Sequence, residues 1–199
     1  IALRLVGSEM CIRDSYLLLA SLRGVLVTGA PPRKAAEETP GQLRSKADEA
    51  LLKRDTDTAL SLLARAIALE PDNERNYFKR ATVLKRAGKA ARAVADLDAA
   101  LQIKPGYGAA LVARARALLG IGRCAEAKKD YEAAKDTDGM NAAAGCVTAL
   151  QAADKARSKG DRRLELEHLA EVLEKYASDS PSHLLLLRAR AHYARKDWY

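Results

Sequence analysis

PDNERNYFKRATVLKRAGKAARAVADLDAALQIKP, from Pro71 to Pro105, opens and closes on prolines that stand 34 residues apart. The same interval separates Gly88 from Gly122 and links Ala59, Ala93 and Ala127, then Ala66, Ala100 and Ala134, then Ala47, Ala81 and Ala115. It also links the bulky series Leu63, Leu97 and Tyr131. Gly88 follows a first helical run, where ending a helix calls for the left-handed backbone that glycine adopts freely. Pro105 follows a second run and stops it, because proline has no N–H to continue a helix and its ring crowds the preceding turn. Alanine recurs where two antiparallel helices must approach closely. The chain therefore reads as all-α, built from repeated helix pairs.

These coincident registers resemble the tetratricopeptide repeat over Pro40 to about Lys135, since that repeat has a period of about 34 residues. The resemblance implies a right-handed superhelical solenoid of antiparallel helix pairs. In each unit the small residue of the first helix (Ala47, Ala81, Ala115) is expected to face the alanines of the second, with Leu63, Leu97 and Tyr131 filling the space between units. Units are expected at about 40–73, 74–107, 108–141 and 146–180, with a partial unit over 182–199.

Several positions depart from the pattern. Arg54 stands where a glycine is usual, and the third unit ends in Asp136-Thr-Asp-Gly139 instead of proline. Gly160 lies 38 residues after Gly122, so four residues are inserted before a divergent fourth unit. There Glu165 occupies the usual alanine position while Leu169 and Val172 keep the apolar ones. A fifth first-helix begins near Ser182 with Leu184 to Leu187 and Ala189, and the sequence stops at Tyr199 without a polar capping helix. A solenoid end left uncapped exposes its apolar face, so the expectation is a fragment of a longer protein.

Composition agrees with close-packed helices: 48% of the 199 residues are hydrophobic and only 5% aromatic. The net charge of +8 admits an anionic partner. Its cations, however, alternate with acids along Lys46 to Glu70 and Lys128 to Asp136, with no interleaved aromatic platform for base stacking. Nucleic acid is therefore not an expected partner, and the charge reads as solvated helix faces. Three cysteines are too few and scattered for a disulfide framework or zinc site. If Cys124 and Cys146 begin successive antiparallel helices, about 12 residues at 1.5 Å each set them roughly 18 Å apart. A bridge needs Cα atoms within about 7 Å, so both are expected as buried or half-buried thiols that indicate no compartment.

Residues 1–39 are not repeat. Ile1 to Ser15, ending in Ser-Glu-Met-Cys-Ile-Arg-Asp-Ser, resembles a translated cDNA-library adapter. The segment at about 16–30 is apolar and ends in small residues at Thr28-Gly29-Ala30, the shape of a secretory signal. Read-through of untranslated sequence or a frayed helix is the alternative. The segment is too short to span a membrane and Arg23 interrupts it, and Pro31 to Thr39 reads as a linker.

Stacked first helices line the concave face of such a solenoid. The positions aimed into it are Arg44, Asp48, Leu51, Leu52, Phe78, Lys85, Arg86, Val112, Arg116, Leu119 and Leu150, with Arg157 beside them. Phe78, the only phenylalanine, is either an anchor for a ligand or core between units. Tetratricopeptide domains that grip the C-terminal carboxylate of cytosolic heat-shock chaperones imply lysine, arginine and asparagine donors at places that here carry Arg44, Asp48, Lys79, Ala109 and Ala113. Asp48 repels a carboxylate and two alanines donate nothing, so that grip is not expected. Apolar spots framed by cations instead suit extended, partly hydrophobic segments.

The stretch from Tyr77 to Pro105 further resembles the second repeat of the DnaJ subfamily C member 3 type, an endoplasmic-reticulum co-chaperone family. That resemblance implies misfolded or nascent polypeptides as clients and an Hsp70-class chaperone as partner through a C-terminal J domain. None of His168, His183 and His192 precedes Pro-Asp, so the J-domain signature is absent from these residues. The alternative is a cytoplasmic adaptor that binds one specific peptide motif. No phosphate loop, nucleophile elbow or paired-carboxylate motif occurs, so a binding protein without catalytic site, cofactor or metal is expected.

Overall fold

The computed structural model describes residues 38–179 and 181–195. The readings of the adapter-like segment, the signal and most of the linker fall on residues 1–37 and lie outside it. Five of the helix starts are set by side-chain caps. Thr39 accepts from the Gln42 backbone N–H while the Gln42 side chain accepts from the Thr39 N–H, a reciprocal cap that starts α1 (Pro40–Leu52). Asp55 caps α2 (Thr56–Leu69) and Asn73 caps α3 (Glu74–Arg86). The next three helices are α4 (Ala90–Ile103), α5 (Gly108–Gly120) and α6 (Cys124–Ala134). Asp136 caps α7 (Thr137–Ser158) and Asp161 caps α8 (Arg162–Glu171), which widens into one π-helical turn at Val172–Tyr176 before α9 (Ser182–Arg195).

Helices pack in sequential pairs, and each layer of core takes residues from a pair and from the unit that follows. Ala47, Ala59 and Leu63 of the first pair close over Val83 of α3. Ala81, Ala93 and Leu97 of the second reach Ala110 of α5. Ala115, Ala127 and Tyr131 of the third reach Ala143 of α7. The crossing alanines Ala47, Ala81 and Ala115 are at most 1% exposed, because a larger side chain there would hold the helices apart. Such a core is continuous along the array, so no unit buries its apolar face alone.

The turns inside the pairs follow one geometry. Gly88, Gly122 and Gly160 have φ of 71°, 77° and 76°, and Arg54 takes the same left-handed conformation at 60°.

The fourth unit corrects two expectations. Its first helix does not begin near Cys146 but at Thr137, and α7 runs for 22 residues against the 13 of α3 and α5, taking up the four inserted residues and others from a shortened α6 and turn. The reason lies in the preceding turn: α6 ends early at Ala134, Lys135 adopts φ 58°, and Asp136 starts a new helix where the other units carry proline. Gly139 then lies so close to Tyr131 that a Cβ there would sit 2.3 Å from its ring. The second correction concerns the cysteines. Cys146 falls in the middle of α7, which runs back antiparallel to α6 and returns it to Cys124 at the start of α6. The two form a disulfide with Cα atoms 5.8 Å apart, packed with Leu169, Val172 and Leu184. The separation estimated from sequence fails because it placed Cys146 at a helix start.

Candidate functional site

The first helices α3 and α5 stand side by side in successive units, and the small residues Gly108, Ala109 and Ala113 at the start of α5 leave a hollow between them. The resulting pocket holds about 540 Å³. Phe78, Ala81 and Val112 line its apolar part, and Lys85, Arg86 and Arg116 stand around it. Phe78 is half-buried and serves both readings of it. One part packs with Tyr107, ring centroids 5.2 Å apart, against the core of the second unit, and another part faces the pocket. Burial pushes the Lys85 ammonium below its usual value, with Asp179 opposing and the Arg116 charge adding to the effect.

The remaining predicted groove residues go elsewhere. The Arg44 guanidinium donates to Asn76 Oδ1 at 2.7 Å and pairs with Glu70 at 3.2 Å. Asp48 is bridged by Lys79 at 2.5 Å. The three cation-bearing or acidic positions that a carboxylate grip would share are therefore engaged with one another or with neighbours. Leu51 packs on the first core layer and Leu52, at the end of α1, is 86% exposed. Leu119 lies in the seam between the third and fourth layers. Leu150 lines a separate hollow together with residues at the start of α6. Arg157 turns away from the groove to donate to Glu165 Oε1 at 2.7 Å.

Sequence reasoning missed a set of ion pairs with the repeat's own period. Arg80 grips Asp96 through two bonds of 2.7 and 2.6 Å, and Arg114, one period later, grips Asp130 through two of 2.7 Å. Arg114 also reaches back to Asp98 of the preceding pair at 2.7 Å. The Asp130 bonds, and then those to Asp98, hold the Arg114 guanidinium still more firmly protonated than usual. The signal was legible as Arg80/Arg114 and Asp96/Asp130 recurring at the same interval as the alanines. These pairs fix α3 on α4 and α5 on α6, and so set the pocket walls.

No protein-family profile matches the chain. It is 33% identical over 180 residues to the tetratricopeptide repeat and J domain-containing co-chaperone DNJ1 of Fusarium oxysporum, covering 84% of this chain and 32% of that protein. It is 39% identical over 74 residues to DnaJ homolog subfamily C member 3 of Rattus norvegicus, covering 37% of this chain and 15% of that one. The chain thus spans less than a third of the length of either relative. The crystal structure of the P58(IPK) tetratricopeptide domain superposes with a TM-score of 0.68 at 23% identity, over 78% of this chain and 46% of that one. The fold is of the tetratricopeptide type, and the relatives are co-chaperones. Among the described residues no helix is long and apolar enough to cross a membrane.

Proposed function

We propose, starting from a tetratricopeptide fold with co-chaperone relatives, that this chain is the client-holding part of a lumenal J-domain co-chaperone. It holds misfolded or nascent polypeptides, and a J domain elsewhere in the full protein passes them to an Hsp70-class chaperone. The observation that carries this reading is the pocket between α3 and α5, where Phe78 and Val112 offer open apolar surface between long, solvent-reaching cations. Such a surface accepts apolar side chains of many sequences. Two further observations support it. The engaged Arg44 and the Asp48–Lys79 pair leave no carboxylate grip at the start of the groove. The Cys124–Cys146 disulfide suits an oxidising compartment such as the endoplasmic-reticulum lumen.

The test is suppression of aggregation. Light scattering by chemically denatured citrate synthase is followed on dilution with the wild-type chain and with Val112→Asp, which places a charge on the apolar wall. Wild type slows aggregation and the variant does so much less, with circular dichroism unchanged. A chain that suppresses nothing yet binds one short motif tightly is instead a cytoplasmic adaptor.

A further inference from the structure

We infer that the pocket between α3 and α5 selects segments in which an apolar anchor is flanked by carboxylates. The inference rests on the polypeptide-binding reading above and names the chemical class of segment that is held. The pocket's lining includes Lys85, Arg86 and Arg116 and no acidic residue.

On the same two helices Lys79 is paired with Asp48, Arg80 with Asp96, and Arg114 with Asp98 and Asp130, while Arg75, at the start of α3, does not line the pocket. Among the described residues Lys85, Arg86 and Arg116 belong to no ion pair. Lys85 is half-buried, with Arg116 as a like-charged neighbour and Asp179 as the one acid acting on it. Arg116 lies against the Tyr131 phenol. Lys85, half-buried beside the Arg116 charge, carries an electrostatic cost that an incoming carboxylate relieves, and Arg86 and Arg116 at the rim add their attraction to it. Lys85 and Arg86 also lie in the last turn of α3, where cations complement the helix dipole. Arg116 has no such role in the last turn of α5, so it is the residue on which the test turns.

Three fluorescein-labelled peptides share one Leu-Phe anchor flanked by glutamates, serines or lysines, and their binding to the full 199-residue chain is read by anisotropy. The glutamate peptide binds about tenfold tighter than the serine peptide at low ionic strength and the lysine peptide is weakest, with the spread closing as salt screens the charges. In Lys85→Gln/Arg86→Gln/Arg116→Gln the three peptides bind alike, at the wild-type affinity for the serine peptide. If that variant loses helicity, Arg116→Gln alone, at an exposed position, narrows the spread between the glutamate and lysine peptides. Equal binding of all three peptides by the wild type overturns the inference and leaves the apolar groove standing. A glutamate preference that survives the substitutions also overturns it, since other cations then carry it. Failure to bind any of the peptides overturns both this inference and the client-holding reading.

Discussion

Cys124, the first residue of α6, is bonded to Cys146 in the middle of α7, so the third and fourth units are joined by a covalent tie across their shared core. The bond closes a loop with a sequence separation of 22. By chain entropy, a loop of that size stabilises the fold by about 3 kcal/mol. Reduction with a phosphine should lower the urea midpoint accordingly, with far-ultraviolet dichroism of the folded state unchanged. An unaltered midpoint, or more than one free thiol per chain in the untreated protein, which also carries Cys11, would show that the two sulfurs are not bonded.

Arg54 holds the turn conformation that Gly88, Gly122 and Gly160 hold in later units, with φ 60° and a side chain on the surface. A Cβ in that region crowds the following carbonyl at a cost of about 1 kcal/mol. Arg54→Gly should therefore raise the thermal midpoint by a few degrees, by roughly the ΔΔG divided by the unfolding entropy. A lowered midpoint would mean that the Arg54 side chain makes a stabilising contact that outweighs the strain.

Arg114 binds Asp130 within its own pair and Asp98 in the preceding one, so one guanidinium holds three helices together. Arg114→Met leaves Asp130, which is 10% exposed, without its partner. Allowing for partial solvent access, the loss is about 2 kcal/mol. Arg114→Lys should recover only part of it, because an ammonium cannot make the two-pronged contact. Chemical denaturation of both variants checks the order, and a lysine variant as stable as wild type would mean that charge alone matters here.

The helix pairs were legible in the sequence because each signal is local or strictly periodic: glycine at the turn, proline after the second helix, alanine at the crossing. The fourth unit was not, because its start depends on how α6 ends. Lys135 in the left-handed region and Asp136 as a cap displace the helix start by several residues, and the periodic frame contains no trace of that. Misplacing Cys146 within its helix was enough to hide the disulfide. Phe78, Lys85, Arg86, Val112 and Arg116 were placed together because α3 and α5 keep the regular frame. The fate of Arg44, Asp48 and Arg157 turned on which charged or amide partner each side chain meets on a neighbouring helix, and spacing along one helix does not encode that.

Glu165 replaces the crossing alanine of the other units, and the structure shows how a carboxylate survives there. It is 2% exposed and accepts from Arg157 on α7 and from Arg162 on α8, each at 2.7 Å. Burial pushes its carboxyl up, but the bonds from the two guanidinium groups, with their charges, outweigh burial and hold it below the usual 4.5. The folded state thus favours the ionised form more than the unfolded chain does. The corresponding stability is fully present above pH of about 4.5 and fades as pH falls toward the lowered folded value. Glu165→Gln should cost about 2 kcal/mol at neutral pH, since the amide keeps one acceptor oxygen and turns an NH2 group toward the other guanidinium. It should also flatten the acid side of the stability profile. Urea midpoints of the two proteins should therefore converge as the solution is acidified through that range. Parallel curves would mean that other carboxylates govern the acid limb and that the pincer on Glu165 contributes little to holding α8 against α7.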